Sequence, residues 1–453
     1  MAGLIAMVGL RLCPTVIWPS LDWGDEIYQA TEPAHRLVYG TGLVTWEWVA
    51  HIRSWILPGF IAGIMLAARF VGAGPHLYLP AIATLLGAIS LVPVLGVFGW
   101  CRSRYGGWHA LAGAAVPALA PELVYFGARP LSEVVAAHLL AGGLFVGGRN
   151  ATVWRSAGAG ALLGLATALR PQILPGALLI LLWPGRGNRL PAACGAMAAL
   201  FMAALLDWAT LGSPAASIWR YALVNLEGAS ASFGVQPWYY FLLAEAAIWG
   251  VALPIPVGLC LWGARRWTLP LLAAMVIITV HMAIGHKEHR FIYPALVLGA
   301  VSAGIGMADL SLRLSQRLHS NLGAALALCG CWTALSAAVW FGAGLSTLRQ
   351  RAEDNLEAAD YAAALPGLCG IGMGPGRDAW VPYGGYTHLH QRVPLFWPAD
   401  AAAFARESKG FNLLLSETRE PGYAILRCFG PVCVARRDGT CRATPSDIMP
   451  AKP

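Results

Sequence analysis

Apolar windows recur along the chain from the N-terminus to about residue 345, where the pattern stops and the composition becomes that of a soluble protein. Each window approaches the roughly 20 apolar residues that cross a bilayer core as a helix. Taken backwards they cover approximately 321–345, 291–310, 268–285, 239–264, 190–211, 171–184, 154–169, 131–148 and 107–127, preceded by 78–100, 56–72 and Ala2 to Pro19. The pattern predicts an all-α polytopic membrane protein with about eleven crossings and the N-terminus inside. Ala2 to Pro19 is short and carries Arg11, which also suits a cleaved signal peptide. It lacks a charged start and a small-residue cleavage site, which favours a first transmembrane helix. Segments 154–169 and 171–184 are short for full spans and meet at Arg170-Pro171. They read as a bent or half-inserted pair, because non-helical backbone at membrane depth needs a protein-lined cavity beside it.

Polar connections then orient the segments. Arg102/Arg104, Arg149/Arg155, Arg186/Arg189, Arg265/Arg266 and Arg313/Arg317 mark every second connection. The excess of positive charge in cytoplasmic loops places these clusters inside. The connections at 129–133, 170–172, 212–238 and 286–290 then face outward, as does the tail. Residues 20–55 belong outside too, with five acids (Asp22, Asp25, Glu26, Glu32, Glu47) against Arg36 and Arg53. Passing from that loop to cytoplasmic Arg102 needs an odd number of crossings, so one of 56–72 and 78–100 does not cross cleanly. From about 350 the chain predicts a small extracytoplasmic α/β domain, 350–453, after a membrane domain, 1–349. Within it, 422–437 reads as two short strands around a Gly-Pro turn.

Composition agrees, with 57% hydrophobic and 12% charged residues, against roughly 25% charged in soluble domains. A net charge of +8 raises nucleic acid as a partner, but cations in short clusters between apolar segments point to membrane loops and lipid instead. Six of ten cysteines lie in or beside apolar segments, whereas Cys369, Cys428, Cys433 and Cys441 fall in the tail. Disulfides can form there if the tail faces an oxidising compartment.

Charges inside the membrane are costly and therefore functional suspects. Glu122, Asp207 and Glu245 all fall in the outer third of their segments, which predicts a polar cavity open to the outer leaflet. Asp25-Glu26 follows the first segment on a loop carrying Trp18, Trp23, Trp46 and Trp48. A carboxylate there can take a proton from an attacking hydroxyl; a solvated acidic loop is the plainer alternative. His286, Lys287, Glu288, His289 and Arg290 lie directly between two apolar segments, and Lys287 is the single lysine of the membrane part. Such a cluster suits a lipid phosphate, or a snorkelling loop that holds anionic headgroups. Arg129 and Arg170, each followed by proline, can reach the same phosphate or anchor helix ends. No P-loop is present, which argues against nucleotide hydrolysis. No convincing metal-ligand spacing appears, and His388 with His390 reads more simply as a structural pair.

Asp25 to Arg36, Gly42 to Trp48 and Ile52 to Ser54 together resemble the first outer loop of glycosyltransferase family 22. Arg129-Pro-Leu-Ser, Pro237-Trp-Tyr-Tyr-Phe and His286-Lys-Glu-His-Arg-Phe follow in the order of that family's motifs. Tyr386-Thr-His-Leu-His390 is similar to a stretch in its GPI branch. Glu133 stands where an Asn is usual, and Trp-Gly precedes Asp-Glu where His-Pro is common. The family comprises GT-C mannosyltransferases of GPI-anchor and N-glycan precursor assembly. The resemblance implies inverting transfer of a hexose, mannose, from a polyprenyl-phosphate donor to a lipid-linked glycan or glycolipid on the extracytoplasmic face. It implies Asp25 as base with Glu26 accessory, and His286, Lys287, Arg290, Arg170 and Arg129 on the donor phosphate. Glu122, Asp207, Glu245, Glu288 and His289 are then cavity or acceptor residues, with no cofactor or catalytic metal. Arginine-rich, lysine-poor usage suggests a GC-rich genome and a bacterial inner membrane, with the endoplasmic reticulum as alternative. A transporter or flippase of lipid-linked sugars competes, but the matching internal halves such a protein commonly shows are absent from the sequence. A lipid-binding scaffold without chemistry leaves the ordered motifs unexplained.

Overall fold

Backbone breakers divide the long apolar windows into the helices of the computed structural model, which describes residues 20–442 except 149, 186 and 377, together with positions 5 and 9. The expected first helix, with Arg11 and Trp18, lies outside the described residues apart from Ile5 and Gly9, and so do Arg149 and Arg186. Two compact units emerge. One includes Ser54–Ile56 and Ala83–Thr347; the other joins Trp18–Arg53, Leu57–Ile82 and Leu348–Pro453.

Among the described residues, four helices are long and apolar enough to cross a membrane: Pro75–Tyr105, Arg189–Leu211, His289–Leu318 and Asn321–Phe341. A fifth span is possible if Tyr240–Ala252 and Pro254–Ala264, which bend by 102°, count as one. The protein is thus a multi-pass membrane protein. The bend follows Gly250, whose φ of +53° is open to glycine at little cost, and Pro254 starts the next helix. The window at 107–127 breaks likewise, into Gly107–Leu119 and Pro121–Phe126. Pro121 forces Ala120 out of helical geometry, to ψ 123°. Arg170, before Pro171, interrupts Val153–Leu169 and Leu174–Leu182 in the same way, at ψ 88°. The stretch is therefore broken into two helices with an intervening turn. Ile56–Phe70, at 15 residues, falls short of a full span.

The His289–Leu318 helix is the hub of the first unit: 78% of its most apolar window is buried. Leu298, Val301 and Ile305 pack with Leu140, Leu163 and Ile277. The Arg189–Leu211 helix presents the opposite case, since only 17% of its window is buried. Leu190, Met197 and Phe201 are exposed along it, an apolar face suited to lipid. Its other side lies so close to Val153–Leu169 that a Cβ on Gly160 would meet the Ala192 carbonyl at 1.7 Å, and one on Gly164 the Ala196 carbonyl at 2.4 Å. Small residues allow this approach, as in membrane helix pairs generally.

In the second unit, strands β1 (Ile371–Met373), β2 (Leu395–Phe396), β3 (Leu413–Ser416), β4 (Ala424–Phe429) and β5 (Val432–Arg436) form one mixed sheet in the order β2-β1-β3-β5-β4. The two strands expected at 422–437 are β4 and β5, paired antiparallel. Strand β3 is buried throughout, as an unbroken apolar run in mid-sheet requires. Ile27, Tyr28 and Leu43 from the polar loop complete the core formed by Leu356, Trp380 and Leu413. Disulfides join Cys369 to Cys441 and Cys428 to Cys433.

Candidate active site

The loop at 286–292 sits between the helices Leu269–Ala283 and Tyr293–Leu318. Glu288 is extended there, and His289–Ile292 makes a tight 3-10 turn before Pro294 starts the long helix. This turn brings side chains two residues apart onto one acid. His286 Nε2 donates to Glu288 Oε1 at 2.9 Å, while Arg290 Nε donates to Glu288 Oε2 at 2.7 Å. Burial pushes the Glu288 carboxyl up, but Arg290 and His286 outweigh it and hold it at about 2. The same hydrogen bond from His286 to Glu288 raises the imidazole above its ordinary range. Arg290 also reaches Glu133 Oε1, at 3.1 Å, and Arg170 lies 3.9 Å from Glu133 Oε2. Both guanidinium groups stand over Phe291, with Cζ 5.3 and 4.8 Å from the ring centre. Arg170 and Arg290 thus face two carboxylates, and a protonated His286 adds a third positive charge. Such a site keeps a surplus for an anionic oxygen. Lys287 itself is turned to backbone: Nζ donates to Gln236 O at 3.0 Å, to Gly285 O at 3.5 Å and to Ile284 O.

A second cluster lies in the same unit. Glu122, one residue after the helix-starting Pro121, meets Glu245 of Tyr240–Trp249 and His289 of the turn. His289 Nε2 is 2.9 Å from Glu245 Oε1 and 3.5 Å from Glu122 Oε1. Trp249 Nε1 donates to Glu122 Oε2 at 2.9 Å. One ligand atom from each of the three residues falls within 4.8 Å of the others, close enough to hold a metal ion. Asp207 stands apart from both clusters. Its Oδ2 accepts from Ser217 N at 2.9 Å and Ser217 Oγ at 2.6 Å, bracing the helix Ala216–Leu226. Arg129 is buried, with Nε donating to Tyr125 O at 3.2 Å and Cζ 4.0 Å from the Tyr125 ring.

The acidic pair belongs to the second unit. Asp25 is half-buried immediately before a π-helical turn, Glu26–Thr31, a rare geometry that is frequent at functional positions. Glu26 is buried, and its Oε1 accepts from Asp22 N at 2.6 Å. The two carboxylates are therefore not equivalent: Glu26 braces its own loop. Glu32 is buried more deeply. Its Oε1 accepts from Leu43 N and Tyr386 N, and its Oε2 from Thr387 N, each at 2.9 Å; Thr387 Oγ1 donates to Oε2 at 2.6 Å. Gly385 makes room for this, since a Cβ there would lie 2.7 Å from Glu32 Oε1. His390 Nδ1 is 3.0 Å from His35 Nε2, so one ring donates and the other accepts. Burial lowers His35 and His388 to about 4, which keeps both neutral.

Sequence reasoning assigns a role to every member of the two clusters in the first unit except Glu133 and Trp249. Glu133 is legible afterwards as an acid at the head of an apolar helix, four residues from Arg129. Glu32 stands out in the sequence only as one acid of the loop among five. Its role depends on donors more than 350 residues away and leaves no local signal.

The model of the Alg9-like mannosyltransferase family matches residues 4–357. GPI mannosyltransferase 3 of Yarrowia lipolytica is 25% identical over 87% of this chain and 76% of its own length. GPI alpha-1,2-mannosyltransferase 3 of Bos taurus is 24% identical over 68% of this chain. This chain spans only 59% of the bovine protein's length. Among solved structures, ArnT from Cupriavidus metallidurans bound to undecaprenyl phosphate has the same fold, with a TM-score of 0.58 and 13% identity over 96% of this chain and 97% of its own.

Proposed function

The chain belongs to the Alg9-like mannosyltransferase family, a family of glycosyltransferases, and on that premise we propose that it transfers a hexose, mannose, with inversion from a polyprenyl-phosphate donor to a lipid-linked glycan or glycolipid. The reaction runs on the extracytoplasmic face of a bacterial inner membrane, in a protein of about eleven crossings with its small C-terminal domain at 350–453 on the same side. The observation that carries the reading is the Arg170–Glu133–Arg290–Glu288–His286 chain of ion pairs. Around His286-Lys-Glu-His-Arg-Phe291, which resembles the family's His-Lys-Glu-x-Arg-Phe signature, it concentrates more cations than acids on an apolar helix end when His286 is protonated. A developing phosphate charge is stabilised by such fixed cations without reorganisation. Lys287 and Arg129 contribute from their backbone-anchored positions.

Asp25 is the general base: it takes the proton of the acceptor hydroxyl as the hydroxyl oxygen attacks the anomeric carbon and the donor phosphate leaves. Glu26, held by Asp22 N, keeps the loop in place. The tail disulfides support an oxidising, extracytoplasmic setting. A transporter of lipid-linked sugars is not favoured, because the family match explains the ordered motifs and transport does not.

Asp25→Asn keeps the shape of the side chain but cannot take the proton. Transfer from a short-chain polyprenyl-phosphate mannose should fall by about 10²-fold or more, with donor binding retained when measured separately. Glu26→Gln should transfer better than Asp25→Asn. Normal transfer by Asp25→Asn with loss in Glu26→Gln would move the base to Glu26, and normal transfer by both would remove the mechanism.

A further inference from the structure

We propose that Glu122, Glu245 and His289 form a binding site for one divalent transition-metal ion of the zinc class. The three side chains come from separate parts of the first unit: the short helix after Pro121, the helix ahead of the 102° bend, and the 286–292 turn. They converge without any ligand spacing in the sequence. A neutral imidazole nitrogen with two carboxylate oxygens is a donor set zinc accepts. Tetrahedral coordination at about 2.1 Å sets neighbouring ligand atoms about 3.4 Å apart. His289 Nε2 lies 2.9 Å from Glu245 Oε1 and 3.5 Å from Glu122 Oε1, so small shifts of side chains admit the ion.

Two observations favour a cation over a closed ion triad. The first is charge. With both carboxylates ionised, one imidazolium between them leaves a negative charge uncompensated in a mostly buried place, which is costly, whereas a divalent ion with neutral imidazole balances both acids. The second is hydrogen bonding: among the described residues, buried Glu122 Oε1 has no well-formed hydrogen bond, with His289 Nε2 standing 3.5 Å away at the edge of the cluster. Trp249 supplies the outer support such sites use, its indole N–H fixing Glu122 Oε2 and leaving Oε1 for the ion. Glu245 and His289 retain 17% and 12% exposure, which leaves a way in. A fourth position remains for water or an anionic oxygen.

The test uses the purified full chain in detergent, stripped with a chelator, reloaded with Zn²⁺ or Co²⁺ and passed through gel filtration. Metal analysis should find about one equivalent retained, and the Co²⁺ protein should show a visible spectrum of low-symmetry coordination. Glu245→Gln and His289→Ala should lose both signals, while Trp249→Phe, which keeps the ligands, should bind about 10-fold more weakly or worse. Failure of the parent protein to retain metal, or equal retention and spectrum in a Glu245→Gln/His289→Ala double variant that still elutes as folded protein, would overturn the site. Metal content is read without sugar transfer, so this result stands apart from the proposed activity.

Discussion

Arg290 engages two acids with different edges of one guanidinium group: Nη1 faces Glu133, while Nε and Nη2 face Glu288. A planar fork can do this and an ammonium cannot, because lysine is a point charge on a flexible stem. Arg290→Lys therefore keeps the charge but frees one carboxylate, whose negative potential then opposes a donor phosphate. The expected outcome is a loss of about 10-fold in apparent donor affinity, near 1.4 kcal/mol, with turnover at saturating donor less affected. Steady-state kinetics across donor concentrations checks it, and unchanged affinity would reduce Arg290 to a loop anchor. The sequence singles out Arg290 as a member of the dense ionisable cluster at 286–290, in a connection placed outward. It does not say that Glu133, 157 positions away, holds the other side of the same group, since pairing across helices has no local pattern.

Helix Glu32–Tyr39 and the turn at 384–390 are joined through one carboxylate. Glu32 accepts three backbone N–H groups and a hydroxyl, and all of them are buried. Glu32→Ala leaves four donors without a partner. Each unsatisfied buried donor costs about 1–3 kcal/mol, so a loss of about 3 kcal/mol or more is expected even with partial relaxation. Glu32→Gln, which retains one carbonyl oxygen, should lose less. Thermal unfolding in detergent ranks the variants, and limited proteolysis should cut first near Gly384-Gly385 in Glu32→Ala. Two variants as stable as the parent would show that the turn holds by apolar packing alone. The helix itself is legible locally, with Pro33 in its first turn and Gly40 ending it at φ +83°.

On the scale of the whole chain, the Cys369–Cys441 bond spans a sequence separation of 72 residues. A bridge over so long a loop restricts the unfolded chain strongly, and its removal typically costs about 2–5 kcal/mol. Cys369→Ser should destabilise the second unit by that order, read as a lower unfolding temperature. The same bridges report on the compartment. Protein isolated from membranes without reductant should leave Cys369, Cys428, Cys433 and Cys441 unlabelled by a maleimide under denaturing conditions, and labelled once reduced. Labelling of all four before reduction would place the tail in a reducing compartment and contradict the proposed side of the membrane.

What the sequence determined by itself follows from short-range physics. Apolar windows of bilayer length require helices in lipid, prolines and glycines end them, and the Gly-Pro turn between two short strand-like runs at 422–437 announces a hairpin. The candidate chemistry was visible for the same reason, since each ionisable group in an apolar segment is an exception to its surroundings. Tertiary structure alone decided which exceptions meet. It separated Asp207, a brace for its own following helix, from Glu122 and Glu245, which converge on His289. It gave Lys287 to backbone carbonyls and linked Arg170 to Arg290 through Glu133. Helix rotation and the bend after Trp249 set these meetings. Both depend on close packing between segments far apart in the chain, a quantity that no single segment's periodicity encodes.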